Sequence, residues 1–136
     1  MVKRRKIREL AVQALFALEI CKGKPDDTFD LVCDNFIAGK DTRLFSKQLF
    51  LGVCSRKGRI DELIAAASRN WRIERMPLVD LSILRLAVFE MIFVDDVPPK
   101  VAIDEALEIG KRFGGEKSVP FLNGVLDRVY KDIVLS

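Results

Sequence analysis

Histidine is absent from the 136 residues, which removes the side chain that most often acts as a base near neutral pH. The three cysteines, Cys21, Cys33 and Cys54, lack both the CxxC spacing and the histidine neighbours that zinc sites use. The sequence also contains no phosphate-binding loop, dinucleotide-binding glycine motif, nucleophile elbow or HExxH motif. We therefore expect a protein that is not an enzyme and that needs neither a metal nor a cofactor.

Acidic pairs are the remaining candidates for catalysis, and their settings argue against it. Asp26 and Asp27 border a turn, as do residues 95 and 96, and Asp is common in turns for conformational reasons. Asp104 and Glu108 lie four residues apart, which is typical of a solvated helix face with ion pairs. A catalytic carboxylate pair is the less favoured interpretation.

Long uncharged runs are missing as well, so the sequence predicts no membrane-spanning helix. The cysteines have apolar neighbours, as in "LEIC", "DLVC" and "LGVC", which is typical of reduced thiols in a protein core. These features together predict a cytoplasmic protein.

Apolar residues recur at helical spacing nearly everywhere, and strand-like alternation is missing. The length favours one domain, residues 1–136, with an all-α fold. Turn residues divide the chain into predicted helices at about 3–21, from 25 onward, 42–70, 77–94, 100–113 and 118–134. The helix at 77–94 is apolar around nearly its whole circumference, which predicts a central position among other helices.

Positive charge is concentrated at the start of the chain. Five of the 23 Lys and Arg residues lie within the first eight positions, which leaves 18 against 20 Asp and Glu in the remainder. This N-terminal basic cluster consists of Lys3, Arg4, Arg5, Lys6 and Arg8. Cations at a helix N-terminus oppose the helix dipole, so folding does not favour them there. Phosphate binding explains them better, which favours a nucleic-acid ligand over a merely solvated terminus.

On the first helix, one stripe is predicted to face the core and to contain Ile7, Leu10, Ala11, Ala14 and Leu18. A second row, Arg5, Glu9, Val12 and Phe16, is predicted to face outward. Two interpretations of Phe16 remain open. It either packs under another helix, or it is an exposed aromatic ring that stacks on a base or anchors a partner protein.

The string "VPFLNGVLDRV" raises two further questions. Gly124 lies inside a predicted helix, where Gly costs about 1 kcal/mol relative to Ala, so we expect it to permit a close helix approach. Phe121 opens this helix just after a glycine-rich loop that carries Lys117. Its ring either fills the core or belongs to a binding surface.

Four strings together resemble the NusB family of transcription antitermination factors. They are "RRKIRELAVQALF", "NWRIERMPLVDLSILRLAVFEMIF", "DDVPPKVAIDEALEIGKRFGGEKS" and "FLNGVLDRV". The resemblance runs from about Arg4 to Val129. It implies an all-α fold of about seven helices in two packed bundles. It also implies a non-enzymatic protein that binds single-stranded boxA RNA of ribosomal RNA leader transcripts. The partners that it implies are the ribosomal protein NusE and the antitermination complex of RNA polymerase.

The same resemblance assigns roles to individual residues. It places Arg4, Arg5, Lys6 and Arg8, with Lys3 beside them, and Phe121 on the RNA surface, where Lys117 could add a phosphate contact. Phe16 and Asp80 match the side that binds NusE. Phe16, Lys117 and Pro120 depart from the residues usual in the family.

Two alternative functions remain open at this point. NusB-like domains also precede ribosomal RNA cytosine methyltransferases, and that interpretation needs a cofactor-binding domain that residues 1–136 do not contain. The other alternative is a helical dimerisation module, because some members of the family form homodimers.

Overall fold

The computed structural model describes residues 4–35, 39–69 and 71–135. These residues are mostly helical and form no strand, so the all-α prediction is confirmed. The α-helices among them are α1 (Arg4–Cys21), α2 (Pro25–Asp34), α3 (Lys40–Ser55), α4 (Lys57–Ala67), α5 (Leu78–Phe93), α6 (Pro99–Phe113) and α7 (Ser118–Val129). A 3-10 helix, Ile73–Arg75, precedes α5, and a π-helical turn, Tyr130–Val134, follows α7. The chain divides into two compact units, Met1–Ser55 with α1 to α3 and Arg56–Ser136 with α4 to α7.

The single helix predicted for residues 42–70 is wrong, because two helices occupy this stretch. Arg56 lies between α3 and α4 with φ −119° and ψ 15°, outside the α-helical region. Gly52 and Gly58 flank the break, and Gly in a helix interior costs about 1 kcal/mol relative to Ala. Local propensity therefore does little to keep the helix continuous at this point.

Aromatic rings and one buried serine hold the first unit together. The rings of Phe29 on α2 and Phe50 on α3 pack with their centroids 5.5 Å apart, and both are almost fully buried. Ser46 on α3 donates a 2.9 Å hydrogen bond from Oγ to the carbonyl of Ile7 on α1. This bond satisfies a polar side chain that has no access to water.

Helix α5 lies at the centre of the second unit, as its sequence predicts. Every residue from 80 to 91 is buried, and α4, α6 and α7 all pack against it. Two of its polar side chains find partners in the interior. Ser82 donates 2.8 Å from Oγ to the carbonyl of Leu78, and Arg85 donates to both carboxylate oxygens of Asp61 on α4, at 2.9 and 3.0 Å. Among the described residues, no helix is long and apolar enough to cross a membrane.

The close helix approach in the second unit occurs at Gly110, and the approach predicted at Gly124 is wrong. A Cβ atom at position 110 on α6 would lie 2.6 Å from Cδ1 of Leu122 on α7. A Cβ atom at position 124 would meet no atom within 4 Å, and Gly124 is exposed. The two glycines therefore differ in what an added methyl group would do.

We predict opposite effects for two matched substitutions. Gly110→Ala inserts a methyl group into a packed contact and should lower the free energy of unfolding by about 1–3 kcal/mol. Gly124→Ala should raise it by about 0.5–1 kcal/mol, because Ala has the higher helix propensity and restricts the unfolded chain. Urea unfolding of both variants measures this, and a stabilised Gly110→Ala variant would contradict the assigned contact.

The three cysteines are free thiols, but only Cys33 belongs to the core. Cys54 is half-buried and Cys21, at the end of α1, is exposed. The prediction of three core thiols is therefore wrong for Cys21, since its apolar sequence neighbours belong to a helix end that faces water. Burial raises the pKa of the Cys33 thiol.

We predict that iodoacetamide alkylates Cys21 much faster than Cys33 in the folded protein. A raised pKa leaves less Cys33 thiolate at any pH below that pKa, and burial limits access of the reagent. Peptide mass spectrometry over time measures both rates. Raising the pH should accelerate both reactions without reversing their order, and equal rates in urea provide the control.

Candidate nucleic-acid interface

The N-terminal basic cluster begins α1, and the structure places its members at different depths. Arg4 and Arg5 are exposed, and the Lys6 side chain is 45% exposed. Arg8 is only 5% exposed, so its guanidinium presents little surface to a ligand. Lys3 lies outside the described residues. The accessible cations of the described cluster are therefore those at positions 4 to 6.

The electrostatics of the helix start favour an external anion. No acidic residue occupies the first turn of α1, although acidic residues there would stabilise the helix dipole. Lys6 lies 3.7 Å from the carboxylate of Glu9, which is itself 2% exposed. Exposed backbone N–H groups at a helix start and adjacent cations both attract phosphate.

The predicted core stripe of α1 is confirmed at four of its five positions: Ile7, Leu10, Ala11 and Ala14 are buried, while Leu18 is half-buried. The prediction that the second row faces outward is wrong for its two central residues, Glu9 and Val12. Glu9 and Val12 are 2% and 4% exposed, so more than one face of α1 is covered. The 3.6-residue period locates one apolar face but does not reveal whether the structure covers another. Phe16 is half-buried, and its role in binding a partner stays a prediction.

Asp80 lies inside the second unit, where it holds the start of α7. Ser118 donates a 2.7 Å hydrogen bond from Oγ to Oδ1 of Asp80, and the same Oγ accepts 2.9 Å from the backbone N–H of Gly115. Asp80 is 4% exposed, so a protein partner would reach little of its side chain. Its partner role stays a prediction, and the structure shows a positioning role for it.

This hydrogen-bonded chain fixes the loop that carries Lys117. Lys117 is exposed, directly before Ser118, and Phe121 follows one turn later on α7, half-buried. The ring of Phe121 is in edge-to-face contact with the indole of Trp71, with the centroids 5.7 Å apart and an interplanar angle of 66°. Phe121 therefore belongs to a partly accessible aromatic pair, and its role in binding stays a prediction.

Trp71 is the candidate that the sequence interpretation missed. No role for Trp71 was predicted from the sequence, yet the structure leaves this residue 54% exposed in the connection between α4 and the 3-10 helix. An aromatic residue among arginines in a short connection is itself typical of a nucleic-acid contact. Among the described residues, no group of three or more His, Cys, Asp or Glu side chains could hold a metal ion.

Comparison with known proteins identifies the family. Residues 5–131 match the NusB family. The chain belongs to the NusB family. The transcription antitermination protein NusB of Desulforapulum autotrophicum is 47% identical over 131 residues, which cover 95% of this chain and 92% of that protein.

Solved structures of the NusB family have the same fold. NusB from T. maritima superimposes with a TM-score of 0.86 at 32% identity, covering 97% of this chain and 94% of that one. A chain from the crystal structure of antitermination factors NusB and NusE in complex with dsRNA gives a TM-score of 0.85 at 28% identity. That match covers 94% of this chain and 96% of the other. The resemblance found in the residue strings is therefore confirmed.

For this NusB-family chain we predict that Asp80→Ala and Ser118→Ala each lower the free energy of unfolding by about 1.5–3 kcal/mol. A buried hydrogen bond to a charged group has this magnitude. The double variant should lose much less than the sum, because the two side chains share one bond. Urea unfolding measures all three.

Ser82→Ala is the matched control. Ser82, on α5, is buried like Ser118, but its hydroxyl donates a hydrogen bond only to the carbonyl of Leu78 in its own helix. It should cost clearly less than Ser118→Ala. Additive losses for Asp80 and Ser118 would contradict the assigned bond.

Proposed function

We propose that this protein is a transcription antitermination factor that binds single-stranded boxA RNA of ribosomal RNA leader transcripts together with NusE. The observation that carries the proposal is the start of α1, where Arg4 and Arg5 are exposed, Lys6 is half-exposed and no acidic residue occupies the first turn. The proposal is supported by membership of the NusB family and by a curated relative that is named as an antitermination protein. Residues 1–136 act in this proposal as one RNA-binding domain, in the cytoplasm.

The proposed mechanism is binding and positioning, without covalent chemistry. Cations of the N-terminal basic cluster neutralise backbone phosphates and release counterions, which supplies affinity and salt dependence. Phe121 and Lys117, on the second unit, contribute an aromatic face and a charge. Unpaired RNA bases stack on aromatic rings, which gives the proposed preference for single strands.

NusE is the proposed protein partner. The complex that the two proteins form on RNA is proposed to join the antitermination complex of RNA polymerase. Phe16 supplies the proposed contact on the first unit, because its ring is half-buried and keeps accessible surface. Asp80 contributes on the second unit mainly by holding Ser118. The solved relative that contains NusB, NusE and dsRNA supports both partner classes.

We predict that Arg5→Ala weakens binding of labelled single-stranded boxA RNA while leaving NusE binding unchanged. One lost phosphate contact should lower affinity several-fold and reduce the slope of log K against log salt by about one. Fluorescence anisotropy at several salt concentrations, with and without NusE, measures both quantities.

Arg59→Ala is the matched control, because Arg59 is an exposed arginine of α4 that already pairs with Glu62 at 3.4 Å. It should change RNA affinity little. Scrambled RNA and a double-stranded version of the same sequence complete the set. Equal affinity for boxA and scrambled RNA, in the presence of NusE as well as in its absence, would refute the proposed function.

A further inference from the structure

Trp71 is the chain's single tryptophan, and the fold leaves it largely in water. It lies in the connection between α4 and the 3-10 helix Ile73–Arg75, and the residue is 54% exposed. The backbone is nevertheless held in place, since the N–H of Trp71 donates a 2.8 Å hydrogen bond to the carbonyl of Ser68. A rigidly placed, exposed indole loses little conformational entropy when a ligand binds to it.

The contact with Phe121 sets the position of the indole. Ring centroids 5.7 Å apart at 66° are within the range that edge-to-face aromatic pairs prefer. One edge-to-face neighbour uses only part of the indole surface, as the exposed fraction shows. Packing of the unit thus accounts for the location of Trp71 but leaves about half of its surface without a role.

Three exposed cations lie close to the two aromatic residues in sequence. Arg72 and Arg75 are exposed on the same connection, and Lys117 is exposed four residues before Phe121. Within the described part of the chain, none of these three cations forms an ion pair, although Glu74 lies between the two arginines in sequence. Aromatic rings beside unpaired cations suit a ligand that carries both flat bases and phosphates. Trp and Arg are also common in protein–protein interfaces, so the experiment below must separate an RNA contact from a protein contact.

We propose that Trp71 and Phe121 together form a stacking site for unpaired bases of single-stranded RNA, with Trp71 as the principal ring. This inference rests on the proposed function and adds a base-binding residue of the second unit to it. Arg72, Arg75 and Lys117 supply phosphate contacts beside the two rings. Because stacking tolerates every base, the site contributes affinity and single-strand preference and does not read the sequence.

The indole itself reports on this site, because no other tryptophan contributes to the emission. Titration of the protein with unlabelled single-stranded boxA RNA should quench Trp71 fluorescence. Half of the quenching should occur at the RNA concentration that anisotropy gives for half-saturation with labelled RNA. Double-stranded RNA of the same sequence should bind with clearly less quenching, since its bases are already paired and stacked. Trp71→Leu should lower the affinity for the single strand about tenfold, and Trp71→Phe should retain most of it.

Phe45→Leu is the matched control, because Phe45 is 44% exposed on α3 of the first unit. It should leave RNA affinity unchanged, and circular dichroism checks that every variant is folded. Phe121→Leu should also weaken RNA binding. In the double variant with Trp71→Leu the losses of affinity should not be additive, because the two rings touch.

The outcomes separate this inference from the proposed function. Tight RNA binding with unchanged indole emission and an unaffected Trp71→Leu variant would overturn the stacking site and leave the proposed function standing. Absence of boxA binding in the unsubstituted protein, with NusE present, would overturn both. Quenching by NusE alone, with no further change on adding RNA, would identify a protein contact and would also overturn the stacking site.

Discussion

Enclosure of helix α5 is the constraint on which the second unit depends. Its residues 80 to 91 are all buried, so each polar side chain among them has lost water and must be compensated inside the protein. Arg85 donates hydrogen bonds to both carboxylate oxygens of Asp61 on α4, and Asp80 accepts a hydrogen bond from the hydroxyl of Ser118 on α7. These compensating bonds link α5 to α4 and to α7. The need to satisfy buried polar groups thus fixes the positions of its neighbours as well.

The link through Ser118 connects the core to the candidate RNA surface. The hydroxyl of Ser118 also accepts a hydrogen bond from the N–H of Gly115. The loop between α6 and α7 is therefore linked to Asp80 on α5 through this one hydroxyl group. Lys117 belongs to that loop, and Phe121 lies on the first turns of the helix that the loop begins. An interior carboxylate therefore orients a charge and a ring that are proposed to touch RNA.

Much of the fold can be predicted from the sequence, because it follows from local rules. Proline and glycine positions mark most helix ends, and the uniform apolarity of residues 77–94 predicts the central helix. The break at Arg56 and the contact at Gly110 are less predictable. Both depend on which side chains meet in three dimensions, and a glycine in the sequence does not show whether it lies against a neighbour, as Gly110 does, or faces water, as Gly124 does.

The candidate site is also only partly predictable from the sequence. Charge clustering identifies the start of α1, whereas the burial of Arg8 and the pairing of Trp71 with Phe121 depend on tertiary packing.

The concentration of charge at the start of α1 also determines how an RNA strand would approach the protein. Beyond the first eight residues the chain carries 18 basic and 20 acidic residues, so the remainder repels a polyanion weakly while the helix start attracts it. A cluster of charge at one helix start attracts a polyanion over a distance and can steer the encounter before contact. Encounters would therefore be oriented, with the N-terminal end of α1 arriving first. Salt screens both the attraction and the repulsion, so added salt would slow association and also make the approach less selective in direction.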